Sequence, residues 1–176
     1  MNRKSDFLTD AKSANSLSPQ EVFKLLLGSV PGMRYVTRCN SRSLDKRGCD
    51  YWVHREKGKR PLAIDLKELR SGPYPGDKLL LETSIQGRHT SAGWAVDETK
   101  VTDLLLIVRA GESPVILSAR RVRKALETYE VIWSELFGAG VNGTTGIYGD
   151  FRCGYILVPK KALQKACDEV AATWRN

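Results

Sequence analysis

Between Asp50 and Asp103, acidic residues stand inside or at the lip of short apolar runs, at Asp50, Asp65, Glu82 and Asp103. One lies two residues before a lysine, in Ile64-Asp65-Leu66-Lys67. Successive side chains of a strand point to opposite faces, so Asp65 and Lys67 would share a face while Leu66 turns into the core. Burying a carboxylate beside an ammonium costs desolvation energy, which must be offset by pairing the two or binding them to something. Two carboxylates and a lysine on neighbouring strands suit a divalent cation and a phosphate. The carboxylate oxygens would hold the hard cation, and the lysine would face the attacking water or the developing negative charge.

The elements that must position these residues follow from local pattern. Residues 1–17 are polar, charged and serine-rich and read as a flexible N-terminal arm. Ser18-Pro19-Gln20-Glu21 opens a helix, with Ser18 at the N-cap, Pro19 in the first helical position and Glu21 closing a capping box. Gly28 and Pro31 end it, and Met33 to Cys39 is a first strand. Asn40 to Gly48 is a basic turn. Asp50 to Glu56 and Pro61 to Leu66 form a hairpin about Lys57-Gly58-Lys59. Ser71 to Gly76 is a loop, Lys78 to Ile85 a third strand, and Val101 to Arg109 a central apolar strand. Ser118 to Phe137 has helical spacing, Gly138 to Gly149 reads as a loose Gly/Thr-rich stretch, Phe151 to Val158 as a strand and Pro159 to Trp174 as a closing helix. The expected fold is mixed α/β: residues 18–176 as one domain on a single central mixed sheet flanked by helices. Neither GxGxxG nor GxxxxGK[ST] is present to cradle a nucleotide.

Composition narrows the partner. Lys and Arg number 28 against 20 Asp and Glu, a formal net charge of +8, which favours a polyanion, with DNA or RNA ahead of an anionic membrane surface. The four cysteines are widely spaced with no CxxC pair, so a zinc ribbon is not expected, and thiols rather than disulfides are. No apolar run approaches the ~20 residues of a membrane helix, and a soluble cytoplasmic protein is the expectation.

Asp50 opening a strand, a short hairpin, and then Asp65-Leu66-Lys67 resemble the PD-(D/E)xK motif of the restriction-endonuclease-like nucleases, a superfamily rich in phage and mobile-element enzymes. The resemblance spans Ser18 to Val158; its specific part is Asp50, Asp65 and Lys67, and Cys49 stands where the motif has proline. It implies a restriction-endonuclease-like fold and a metal-dependent endonuclease hydrolysing DNA phosphodiester bonds. Mg²⁺ or Mn²⁺ would be held by Asp50, Asp65 and the Leu66 carbonyl, and Lys67 would orient or deprotonate the attacking water. Two rival readings stand beside it. One is a non-catalytic nucleic-acid-binding protein of the same fold; the other is a phage or plasmid inhibitor acting through protein contacts. A homodimer would suit cutting of both strands, though no sequence feature shows one.

The remaining candidates carry alternatives. Glu82 follows an apolar run and is either a ligand or orienter on a strand next to Asp65, or a residue of the polar face. Glu21 is first a capping residue and second a metal ligand, and Asp103 marks a loop-to-strand transition, with a place near the site as its alternative. His54 shares the side-chain parity of Asp50 and Trp52, whereas His89 belongs to an ordinary polar loop. Arg88 in that loop, Lys46 in the basic turn, and Arg120 and Arg121 at the start of a helix are the candidate phosphate contacts. Basic charge at a helix start opposes the helix dipole, so another interaction must favour it. Trp94 is the candidate base-stacking side chain.

Overall fold

Ser18 caps the first helix as its context predicts. In the computed structural model, which describes residues 17–69, 78–86, 91–109, 111–146 and 149–174, the Glu21 amide donates to the Ser18 hydroxyl and the Ser18 amide donates to the Glu21 carboxylate at 2.7 Å. Helix α1 (Pro19–Leu26) thereby has two of its orphan donors satisfied. Then come β1 (Met33–Arg38), a single-turn α2 (Arg42–Asp45) within the expected basic turn, β2 (Tyr51–Arg55) and β3 (Leu62–Leu69). The chain continues through β4 (Lys78–Gln86), β5 (Ser91–Ala92), β6 (Leu104–Arg109), β7 (Val115–Ser118), α3 (Ala119–Phe137), β8 (Ala139–Gly146), β9 (Gly149–Pro159) and α4 (Lys160–Thr173). The mixed α/β class is as expected; the single sheet is not. There are two sheets, and the chain divides into two compact units, Met1–Gly72 with Val101–Ile116, and Pro73–Lys100 with Leu117–Asn176. The N-terminal arm (but for Leu17) and the Ser71–Gly76 loop lie outside the described residues.

The first unit is built on a sheet ordered β1-β2-β3-β6-β7, with the unit boundary falling inside β7. The strands β1, β2 and β3 form an antiparallel meander, and β6 runs parallel to β3. One face of the sheet makes the core: Val36, Tyr51, Val53, Ile64, Leu66 and Leu106 pack with Val22 and Leu26 of α1 and with Val30. Alternation decides this, because Tyr51 and Val53 face one way and Trp52 and His54 the other. Strand β6 is apolar up to its terminal Arg109 for a different reason: Leu105 and Ile107, on the opposite face from Leu106, are buried as well.

The second unit holds the sheet β5-β4-β9-β8, all antiparallel, with α3 and α4. One of the two readings of Glu82 puts β4 beside β3, but the far side of β3 belongs to β6, and β4 pairs with β9 and β5. The Gly/Thr-rich stretch read as loose is strand β8. Gly140 lies opposite Tyr155, and a Cβ built on it would come within 2.6 Å of the Tyr155 hydroxyl. The absent side chain is space for a cross-strand aromatic ring, so the glycine there serves a strand rather than a turn. Gly93 is a second close approach: a Cβ there would meet the Glu82 carbonyl oxygen.

Candidate active site at the β3 edge

Strand β2 begins at Tyr51, opposite Ile64, so β3 runs on past it. The Asp50 amide still donates to the Ile64 carbonyl at 2.8 Å. Beyond that point the side chain takes over from the missing strand: Asp50 Oδ2 accepts the Leu66 amide at 2.7 Å. The amide and carbonyl of one strand residue point to the same edge, so the Leu66 carbonyl faces the side on which Asp50 sits. The Leu66 side chain is in the core, as its parity requires.

Asp65 and Lys67 share the opposite face, and Lys67 Nζ lies 2.9 Å from Asp65 Oδ1. Asp65 is only 5 % exposed, a charged residue buried with an ammonium against it. The three groups feel one another at Asp50. Burial raises its carboxyl from the ordinary 3.8 to about 7; the Leu66 amide opposes the rise, the Asp65 charge adds to it, and the Lys67 charge opposes it. Asp45, on α2, adds a further negative charge that sequence reasoning had not included. Asp50, Asp65, Lys67 and the Leu66 backbone thus converge on one edge of one strand.

Asp103, which sequence reasoning left as a transition residue, has a defined structural part. Its carboxylate accepts the Ala63 amide at 2.9 Å and is gripped by both terminal nitrogens of Arg60. The Asp103 amide in turn donates to the Ala63 carbonyl. This clamp joins the start of β6 to the start of β3 at Ala63, two residues before Asp65. Thr102 beside it is buried and donates to the Gly48 carbonyl at 2.7 Å, tying down the turn that leads to Asp50.

The other candidates are dispersed. Glu82 lies on β4 in the second unit, not on a neighbour of β3; burial and the Glu82 charge push the Cys153 thiol up to about 11. Glu21 is engaged in its capping box. Lys46 is exposed at the end of α2. Arg88 and His89 lie outside the described residues. Trp94 is half-buried. The basic start of α3 finds partners within the second unit: Arg120 stacks on the Trp174 ring at 4.3 Å, Lys124 pairs with Glu127 at 2.9 Å, and Arg121 and Arg123 lie within electrostatic reach of Cys167 and Asp97. All four cysteines are free thiols, with burial and a hydrogen bond to Cys39 raising Cys49 far above the ordinary thiol value.

His54 does lie on the Asp65 face, because Trp52 pairs with Ala63 and both strands alternate from there. Sequence reasoning missed its neighbours on β1. Tyr35 stacks on His54, and Thr37 Oγ1 is 3.0 Å from His54 Nε2. The signal was present in Met33-Arg-Tyr-Val-Thr-Arg38, where a buried Val36 puts Tyr35 and Thr37 on the other face.

Among the described residues no group of three or more His, Cys, Asp or Glu is arranged to hold a metal ion, and no helix is long and apolar enough to cross a membrane. Protein-family models, curated proteins and solved structures offer no match to this chain.

Proposed function

We propose that the chain is a metal-dependent nuclease of the PD-(D/E)xK type that hydrolyses DNA phosphodiester bonds. One observation carries the reading: the Asp50 carboxylate sits on the Leu66 amide beside the Asp65–Lys67 pair, so that two carboxylates, a backbone carbonyl edge and a lysine meet on one strand. The antiparallel meander β1-β2-β3 with β6 parallel to β3 supports the restriction-endonuclease-like resemblance. The net charge of +8 supports DNA as the partner.

The oxygen set fits Mg²⁺ or Mn²⁺, since Mg²⁺ takes one or two carboxylates and keeps several waters. The raised carboxyl of Asp50 is a second sign of fit, because its burial beside Asp65 leaves negative charge that a cation would neutralise. When bound, the ion supplies Lewis-acid polarisation of the phosphate and acidification of a water. The chain's own residues do the rest. Asp50 and Asp65 hold oxygens at the β3 edge, the Arg60–Asp103 clamp keeps that strand in register, and Lys67 places a positive charge where charge develops on the phosphate.

The test is cleavage of plasmid, linear and branched DNA in Mg²⁺, Mn²⁺ and EDTA. Wild-type protein should cut only with metal, and Asp65→Ala should not cut at all. Lys67→Ala should lower turnover more than metal affinity. Equal cutting by wild type and Asp65→Ala refutes the site. A second reading, a DNA-binding protein without chemistry, draws on the fact that both carboxylates already have partners within the chain. Salt-sensitive DNA binding with no cleavage in any metal would establish it, and absence of DNA binding would leave the protein-contact reading.

A further inference from the structure

The face of the first sheet that carries Asp65 and Lys67 also carries an aromatic row that the proposed chemistry does not use. Tyr35 pairs with His54 across β1 and β2, and Thr37 pairs with Trp52. The Tyr35 and His54 rings stack with centroids 4.3 Å apart and planes 14° from parallel. Thr37 Oγ1, hydrogen-bonded to His54 Nε2, fixes the imidazole from the next position along β1. Tyr35 remains 53 % exposed although it is stacked, so the pair is a rigid shelf facing solvent. Val36, Tyr51 and Val53 anchor the same strands from the core side.

We propose that this shelf receives a nucleobase of an unpaired DNA strand whose backbone runs on to the Asp65–Lys67 edge. The inference rests on the nuclease reading and names its substrate class: single-stranded or flapped DNA rather than blunt duplex. Three features select this occupant. First, a base presents a π-face to any flat aromatic, and base–aromatic stacking is how proteins hold unpaired strands; in a duplex those faces are covered by neighbouring base pairs. Second, the charge is complementary. The segment Arg55-Glu56-Lys57-Gly58-Lys59-Arg60, at the end of β2 next to His54, carries four cations; Lys59 is matched by Glu56 and Arg60 by Asp103, so Arg55 and Lys57 supply its net positive charge. Third, the spacing is that of a strand lying across the sheet. Trp52 is level with Ala63, two residues short of Asp65, and the Tyr35–His54 pair is two residues further back. At a rise of ~3.3 Å per residue the shelf stands about 13 Å along the sheet from the Asp65 level, the reach of a few nucleotides.

The experiment measures binding in EDTA, where no cutting occurs, by fluorescence anisotropy of labelled single-stranded, flapped and blunt duplex oligonucleotides. Tyr35 is half exposed and outside the core, so its replacement leaves the fold in place. Tyr35→Ala should weaken single-stranded and flapped DNA by about tenfold, while duplex affinity stays within about twofold of wild type. Tyr35→Trp should restore the affinity, which a merely structural cross-strand pair would not require. Equal binding of all three substrates by wild type and Tyr35→Ala, or an equal loss on all three, overturns the proposal. Cleavage with Mg²⁺ is scored separately. Tyr35-dependent binding without cleavage would remove the nuclease reading and keep the shelf. Cleavage with Tyr35-independent binding would remove the shelf alone.

Discussion

Asp50 is the residue at which the energetics of the proposed site can be measured without a substrate. Its carboxyl is raised from the ordinary 3.8 to about 7, chiefly by burial. A carboxyl raised in the folded state takes up its proton more readily than in the unfolded chain. Its contribution to stability is therefore fully present below pH 3.8, declines as pH rises, and is lost above about pH 7, where the folded protein must carry a buried charge. Moving from 3.8 to about 7 corresponds to roughly 4 kcal/mol, an upper figure because the Asp50 carboxyl is only part-buried and water screens some of its charge. Asp50→Asn removes the charge and keeps an oxygen for the Leu66 amide, so the hydrogen bond across the strand edge survives. In chemical denaturation at pH 8 without divalent metal, Asp50→Asn should be more stable than wild type by about 2–4 kcal/mol. At pH 4 the two should agree within about 1 kcal/mol. Saturating Mg²⁺ should recover wild type at pH 8, with about 2.7 kcal/mol expected at a hundred times the dissociation constant, and leave Asp50→Asn nearly unmoved. If Asp50→Asn is no more stable than wild type at pH 8, or differs from it equally at both pH values, the electrostatic account of this edge is wrong.

Three other outcomes are expected. Gly93→Ala should destabilise the second unit by about 2 kcal/mol or more, read as a lowered denaturation midpoint, because a Cβ there meets backbone atoms of Glu82 and Thr83. Asp103→Ala should cost about 1–3 kcal/mol, chiefly by stranding the part-buried Ala63 amide, since the exposed Arg60 guanidinium regains water, and Asp103→Asn should regain much of it; an Ala variant as stable as wild type would show the clamp to be idle. DNA affinity should fall steeply with salt, and replacing Arg120 and Arg121 together should weaken all sequences alike and flatten the salt slope; an unchanged slope would take α3 out of the DNA contact.

Elements governed by nearest neighbours were legible in the sequence. The capping box at Ser18 and Glu21, the Lys57-Gly58-Lys59 turn and the apolar run of β6 are local patterns, and the structure has each where expected. The Asp65–Lys67 pairing was legible too, since period-two alternation is a local property. Long-range pairing was not. Whether Lys78–Gln86 lies beside β3 or beside β9 depends on which strand takes the β3 edge, and β4 has no residue that announces its partner. Strand β8 was hidden because its glycines signal flexibility locally, while one of them, Gly140, serves to admit the Tyr155 ring from the facing strand. Asp103 was ambiguous for the same reason: its partners are Arg60 and Ala63, some forty residues back along the chain.

The Arg60–Asp103 clamp sets something other than stability. The parallel pairing of β3 with β6 aligns Asp65 with Leu105 and Lys67 with Ile107, and side chains alternate with a period of two. A slip of one residue would send Asp65 and Lys67 into the packing of Tyr51 and Leu106 and bring Ile64 and Leu66 out in their place. Partial displacement has no stable version, because the ladder accepts only whole steps. Loosening the clamp should therefore produce no graded family of weakened sites. It should yield two populations, one with every site residue in place and one with none, and activity lost through Asp103 would be lost by headcount rather than by degree.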